Sequence, residues 1–257
     1  MSRVLAAVYG VFSYLLFFVT FLYLIGFVSG YVVPKHVDSG VPGPVALALA
    51  IDVLLMALFG IQHSVMARPA FKRWITRFVS PAVERSTYVL MASLTLALLF
   101  WQWRPLAGEI WRVEQPVLRT TLLALHAAGW LVVLFSTFLV SHFELFGLRQ
   151  VYDHLRKRSP TPHRFVTPLL YRLVRHPIMV GFLMAFWFTP VMTVGRLLFS
   201  IGMTTYIMVG VRYEERDLVQ AFGDEYERYR GQVPAFLPGL GDSSRTAHAP
   251  TVPKTLS

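Results

Sequence analysis

The sequence predicts an all-α integral membrane protein, with four transmembrane helices and a C-terminal helical hairpin inside the membrane, five to six spans in all. Three observations carry that expectation. The 257 residues are 55% apolar, with a mean hydropathy of +0.53. The apolar residues fall in runs of about 18 or more, enough for a helix to cross a bilayer. The basic residues gather in alternate connections, as they do when positive charge is kept on one side of a membrane.

The elements follow in order. The first run, Val4 to Val33, exceeds the apolar core of about 7–15 residues found in a cleaved signal, and no cleavage site precedes Pro34. It reads as the first helix. About 30 residues at ~1.5 Å each give ~45 Å, so this helix tilts or protrudes. A turn-rich loop runs from Pro34 to Pro44. The second helix, about Val45–Val65, carries Asp52, Gln62 and His63. The next loop holds Arg68, Lys72, Arg73, Arg77 and Arg85. Its Phe71, Trp74, Ile75 and Phe78 sit at helical spacing and predict an amphipathic interfacial helix. The third helix, about Tyr88–Trp103, ends in Trp101 and Trp103, which read as interface anchors. The fourth spans about Leu122–Val140, and a long basic loop, 141–177, follows it.

Two shorter apolar runs come next, Ile178–Thr193 and Leu197–Val211, turned at Pro190 and Gly195-Arg196. Each arm has about 15–16 residues, or ~22–24 Å of helix, short for a full crossing. They read as a hairpin whose open ends share one face. The second loop, the fourth loop and the C-terminal segment are the basic ones, so that face and both termini are expected in the cytoplasm of a bacterial inner membrane. Residues 1–240 read as one membrane domain, with 141–238 holding the binding residues, and 241–257 as a disordered polar tail.

Composition narrows the function. The formal net charge is +10. In so apolar a chain that charge is explained by positive loops and lipid headgroups, not by nucleic acid. There is no cysteine, so disulfides, thiolate metal sites and a cysteine nucleophile are excluded. No metal site is expected.

Ionisable groups at membrane depth are costly and mark candidate sites. Asp52 and His63 share a helix face but lie ~16 Å apart along it, so they are not expected to touch. Asp52 reads as a structural partner for another helix. His126 has no visible partner. Ser141 to Gln150 is denser in polar groups than a connector needs, which makes His142 and Glu144 candidates for a base or an orienting group. Pro177 suits the first position of a helix and pushes His176 towards extended geometry. Arg175 and His176 then sit at a positive helix end, an anion site. Glu214 and Glu215 return to the same surface, so a cationic pocket faces an acidic pair.

One ordered set of residues runs His163-Arg164-Phe165-Val166-Thr167, Tyr171, Arg175-His176-Pro177 and Gly181. After the hairpin it continues through Glu214-Glu215, Leu218, Phe222-Gly223, Tyr226, Tyr229 and Val233-Pro234. It resembles the isoprenylcysteine carboxyl methyltransferase and phospholipid methyltransferase superfamily over about a third of the chain. Gln62-His63-Ser64 and the stretch from Phe143 to Gln150 resemble its bacterial methanethiol S-methyltransferase branch, with NnrU-like proteins nearby. The resemblance implies an integral membrane enzyme that uses S-adenosylmethionine without a Rossmann domain or a metal. It implies cofactor contacts from His163, Arg164, Phe165, Val166, Tyr171, His176, Pro177, Ile178, Met179 and Glu214, to which the charge pattern adds Arg175 and Glu215. Two positions depart from the family. Met179 stands where an aromatic is common, and Leu169 where a glycine is common. The arginine that binds a prenylcysteine in some relatives has no equivalent, Arg212 being near but unaligned.

The implied reaction converts methanethiol, a small thiol, to dimethyl sulfide. Thiolate and sulfonium charges cancel on the way to products, which favours a dry pocket. A protein thiol has a pKa of about 8.5, so a thiol substrate needs a proton acceptor. His63, His142 and Glu144 are the candidates. The alternatives are another acceptor (a prenylcysteine carboxylate, a phospholipid amine or hydrogen sulfide) or a non-catalytic NnrU-like membrane protein.

Overall fold

A computed structural model describes residues 2–159 and 165–238. The expectations for His163, Arg164 and the tail 241–257 lie outside the described residues.

The chain folds as α1 (Arg3–Ser29), α2 (Val45–Ala67), the short α3 (Pro69–Ile75), α4 (Pro81–Gln102), strand β1 (Glu109–Arg112) and α5 (Pro116–Leu139). Then come α6 (His142–Leu145), α7 (Leu148–Leu155), a 3-10 turn at Leu169–Arg172, α8 (Pro177–Trp187), strand β2 (Val191–Thr193), α9 (Val194–Phe222) and α10 (Asp224–Gln232). Among the described residues five helices, α1, α2, α4, α5 and α9, are long and apolar enough to cross a membrane. The chain is an all-α integral membrane protein.

Burial follows the logic of a bilayer. Val4, Leu5, Val8, Val11, Phe12 and Leu15 of α1 face outward, while Ser13, Asp52, Ser86 and Ser136 are buried. Lipid is as apolar as leucine, so helices associate by close packing and interhelical hydrogen bonds rather than by hiding grease. Phe27, Leu99, Trp103 and Phe199 are fully buried in the core.

Several boundaries differ from the sequence reading. Helix α4 begins at Pro81, well before Tyr88, because the Ser80 side chain accepts from Ala82 N and proline takes the first turn. Charged Glu84 and Arg85 therefore lie on a helix. Trp103 is not an interface anchor: it is fully buried and its indole donates to Val37 O (3.0 Å). Trp101, 71% exposed, keeps that role. The long loop 141–177 contains α6, α7 and the 3-10 turn. The hairpin's second arm is also no short run: α9 has 29 residues, and Gly195-Arg196 sit in its first turn, not in the bend.

The hairpin goes deeper than expected. Strand β2, at its tip, pairs antiparallel with β1, which lies between α4 and α5. Arg196 donates to Asp38, between α1 and α2 (2.9 Å). The tip thus reaches the loops at the end of the bundle opposite Arg3. The end holding Arg3 is called the near end below, and the other the far end.

Helix α8 has 11 residues. At ~1.5 Å per residue it rises about 16 Å, half of a ~30 Å hydrocarbon layer. Residues 188–193 complete the run to the tip at the far end, and the start of α8 lies level with Glu215, about 31 Å along α9 from Val194.

Candidate functional site

The site is built from the start of α8 outward. His176 caps that helix with φ −125° and ψ 61°, out of the helical region that the following proline disfavours but short of the extended geometry expected from the sequence. Non-helical backbone at membrane depth needs partners. The C-terminal segment supplies them: Arg175 N donates to Pro234 O (2.8 Å) and His176 N to Ala235 O (3.2 Å).

Glu215 Oε1 accepts from both Arg175 Nε (2.8 Å) and His176 Nε2 (3.0 Å). Glu214 Oε2 lies 3.7 Å from the other ring nitrogen, Nδ1. Consecutive residues on a helix diverge by ~100°, yet both glutamates flank this imidazole. They are unequal, since the Glu215 side chain is 16% exposed and that of Glu214 48%. Glu214 is therefore the carboxylate open to a ligand.

Arg175 is largely committed. Besides Glu215, its Nη1 donates to Arg230 O (3.0 Å) and Val233 O (2.5 Å). It braces α8, α9 and the C-terminal segment together, rather than standing open as the anion site expected from its place at a helix end.

An aromatic wall surrounds the pair. Phe165 packs on Phe222, Tyr226 and Tyr229 at 5.2–5.7 Å. Tyr229 donates to Tyr171 O (2.5 Å), and burial pushes its phenol up to about 12. Burial likewise raises the phenols of Tyr171 and Tyr226, and the field of Glu214 adds to the shift in both. All three stay protonated near neutral pH. The Tyr226 hydroxyl is buried without a hydrogen-bond partner. Such an orphan costs about 1–3 kcal/mol and marks a place where something else is expected to bond. Pro177 is buried at the helix start, Met179 packs on the core, Ile178 is half-buried, and Val166 is exposed. Leu169 adopts φ 39°, left-handed backbone that favours glycine, which accounts for the glycine common at this position among the resembled proteins.

The three candidate bases separate. His142 is buried and has both ring nitrogens occupied. Thr137 Oγ1 donates to Leu134 O (2.7 Å), so it accepts from His142 Nδ1 (2.8 Å). His142 Nε2 then accepts from the Tyr14 hydroxyl (2.9 Å). Its ring also lies flat on Phe138 at 4.3 Å. Glu144 lies in the same short α6 and its carbonyl accepts from Gln150 (3.0 Å). His63 bonds Tyr88 through Nε2 (2.6 Å), while its Nδ1 is buried without a partner.

The remaining intramembrane groups are structural in their contacts. Asp52 accepts from Arg104 N (2.8 Å) and does not touch His63. His126 does have partners, which the sequence did not show: Ser29 (2.9 Å), Trp130 (3.1 Å) and Ala185 O (2.7 Å).

Tyr88 and Tyr206 went unremarked in the sequence because tyrosine is common at membrane interfaces. Both lie within the electrostatic reach of Glu214. Tyr88 bonds His63, and Tyr206 stands edge-on to its ring.

The family described as NnrU protein matches residues 52–237. Methanethiol S-methyltransferase 1 of Bradyrhizobium diazoefficiens is 58% identical over 236 residues, covering 92% of this chain and 83% of that protein. Methanethiol S-methyltransferase of Mycobacterium tuberculosis is 55% identical over 93% of this chain and 98% of its own length. Nurim of Mus musculus is 33% identical over 66% of this chain and 68% of its own. No solved structure matches.

Proposed function

We propose, for a chain that belongs to the NnrU protein family, an integral-membrane methyltransferase activity that converts methanethiol to dimethyl sulfide. The observation that carries this reading is the 58% identity, over 92% of the chain, to a protein named for that reaction.

S-adenosylmethionine is the methyl donor we propose, and when bound it supplies an electrophilic methyl group on a cationic sulfur. The residues fit it. An open carboxylate, Glu214, and the unmet hydroxyl of Tyr226 offer an acceptor and a donor to a nucleoside carrying hydroxyls and an amino-acid head. Tyrosine faces and a carboxylate together favour a cation. His176, hydrogen-bonded to Glu215, stands 3.7 Å from the open Glu214 carboxylate. Phe165 and Tyr171 close the wall.

The surroundings of His176 suit the chemistry: its ring is buried, Phe236 lies against it and Phe165 packs on Phe222 nearby. Such walls exclude water from the attacking sulfur, and a volatile apolar thiol reaches the site through the lipid. The protein's contribution is proximity and alignment, worth up to about 7–11 kcal/mol for well-oriented reactants. The near end carries Arg68, Lys72, Arg73, Arg77, Arg156, Lys157 and Arg158, so we place it and both termini in the cytoplasm of the inner membrane.

Headspace gas chromatography of cells expressing the gene and fed methanethiol is expected to show dimethyl sulfide above an empty-vector control; its absence overturns the acceptor. In calorimetry on purified protein, Glu214→Ala and His176→Ala are each expected to weaken S-adenosylmethionine binding at least tenfold, about 1.4 kcal/mol. Unchanged affinity in both overturns the site.

A further inference from the structure

Among the described histidines packed between helices, one differs. His126 and His142 each have both ring nitrogens hydrogen-bonded, and His176 sits between two glutamates at 3.0 and 3.7 Å. A structural histidine in an apolar interior is expected to be so partnered, because an unmet polar atom there is costly. His63 is not. Its Nε2 meets the Tyr88 hydroxyl at 2.6 Å, and its Nδ1 is buried and bare.

The surroundings of His63 are as specific as a binding wall. Its ring lies 5.3 Å from Phe59, 4.9 Å from Tyr88 and 6.1 Å, edge-on, from Tyr206. Gly60 faces Tyr206, and a Cβ there would come within 3.0 Å of the Tyr206 ring. Arg85 holds Tyr88 from the other side: its guanidinium lies 4.8 Å over the Tyr88 ring, and its Nε is anchored on Leu145 O (2.7 Å). The tyrosine touching His63 is thus itself fixed between helix α4 and the α6 segment.

We propose that His63 Nδ1 is the atom that takes the thiol proton, and that Tyr88 is a positioning residue that keeps this nitrogen bare and aimed. The inference rests on the methyl-transfer reading above. With Nε2–H donating to the Tyr88 oxygen, the lone pair is on Nδ1. The thiol S–H bond breaks and its proton goes to Nδ1. The sulfur electron pair forms the new S–CH3 bond as the sulfonium C–S bond breaks, and that pair stays on the departing thioether. The products are dimethyl sulfide, a neutral thioether nucleoside and one proton on His63, which is lost to water as the site opens. Phe59, Tyr88 and Tyr206 wall the acceptor, which restricts it to small thiols.

The test compares wild type, His63→Gln and Tyr88→Phe with two small thiols, methanethiol and the more acidic 2,2,2-trifluoroethanethiol. Base catalysis contributes about 10²–10⁴-fold, so His63→Gln is expected to lower kcat with methanethiol by at least about 10²-fold. Loss of one neutral hydrogen bond is expected to cost Tyr88→Phe about five- to tenfold. Both defects are expected to shrink with the fluorinated thiol, which needs less help to ionise. A second readout needs no turnover. With an analogue bearing an ammonium in place of the sulfonium methyl, wild type is expected to show the ultraviolet band of a bound thiolate, and His63→Gln to lose it. Equal defects with both thiols, or a thiolate band unchanged in His63→Gln, overturn the proposal. If wild type methylates no thiol while still binding S-adenosylmethionine, it is the underlying acceptor reading that fails, and this inference falls with it.

Discussion

At the scale of the residue, His142 and His63 show how one side-chain type takes two roles. The tautomer of His142 is dictated by Thr137, whose hydroxyl proton is already committed to Leu134 O. It ties α1 to the end of α5 and has no lone pair to offer. Burial holds its pKa below the ordinary histidine value. The sign of the consequence is fixed. The folded state keeps this ring neutral while the unfolded chain takes up a proton near pH 6.5. Stability is therefore complete above that pH and falls as pH drops through it towards the lower folded value. Thermal unfolding in detergent is expected to give a Tm that declines below about pH 6.5 in wild type and declines less in His142→Gln. His142→Gln is also expected to lose about 1–2 kcal/mol at pH 7.5 through its interhelical bonds. A pH slope identical in both proteins would remove His142 from the account.

At the scale of the element, α8 holds the site against α5. It is short, it starts at a proline, and it lies against α5 closer than side chains allow. A Cβ on Gly181 would stand 2.6 Å from Gly129 O, and one on Gly129 would stand 2.7 Å from Gly181 O. The two glycines let the backbones touch, the small-residue contact expected of helices in lipid. Gly181→Ala is expected to push the helices apart and destabilise the fold by about 1–3 kcal/mol. Gly210→Ala in α9 has nothing within 4 Å of the new methyl and serves as the control. Its expected change is near zero or favourable, because alanine is the better helix former by about 1 kcal/mol. Because α8 also carries Pro177 and the cap His176, Gly181→Ala is expected to weaken cofactor affinity along with stability.

At the scale of the whole molecule, the two ends divide the labour. The far end is a structural lock: β1 pairs with β2, and Arg196 donates to Asp38, Thr189, Val191 O and Ser29 O. Every connection at that end is tied to the hairpin tip. The near end is basic and holds both the His176 and the His63 corners. Its sidedness is testable. Alkaline phosphatase fused after Ser39 is expected to be active, and fused after Phe78 or Gln232 inactive, with green fluorescent protein giving the opposite pattern. Activity after Gln232 would place the proposed cofactor site on the outer side and overturn the assigned orientation.

Hydropathy in the sequence was enough to give the membrane-spanning helices and the hairpin after His176, but not α6, α7 or the length of the hairpin's second arm. The spans follow from lengths against a fixed bilayer thickness. The motif residues also sufficed to bring His176 and Glu214 to one place. Other features were decided only by the folded chain. Helix α4 extends into polar sequence because its cap lies before Pro81. Trp103 turns inward because Val37 O needs a donor. Arg175 is absorbed by Glu215 and two carbonyls, where its helix-end position alone suggested an open anion site. His142 and His63 look equivalent along the chain, yet only one keeps a bare nitrogen. Hydrogen-bond partners come from helices far apart in sequence, so no local pattern reveals which donors are already spent. That accounting is settled only when the helices pack, and it decides which of these polar groups remain available for chemistry.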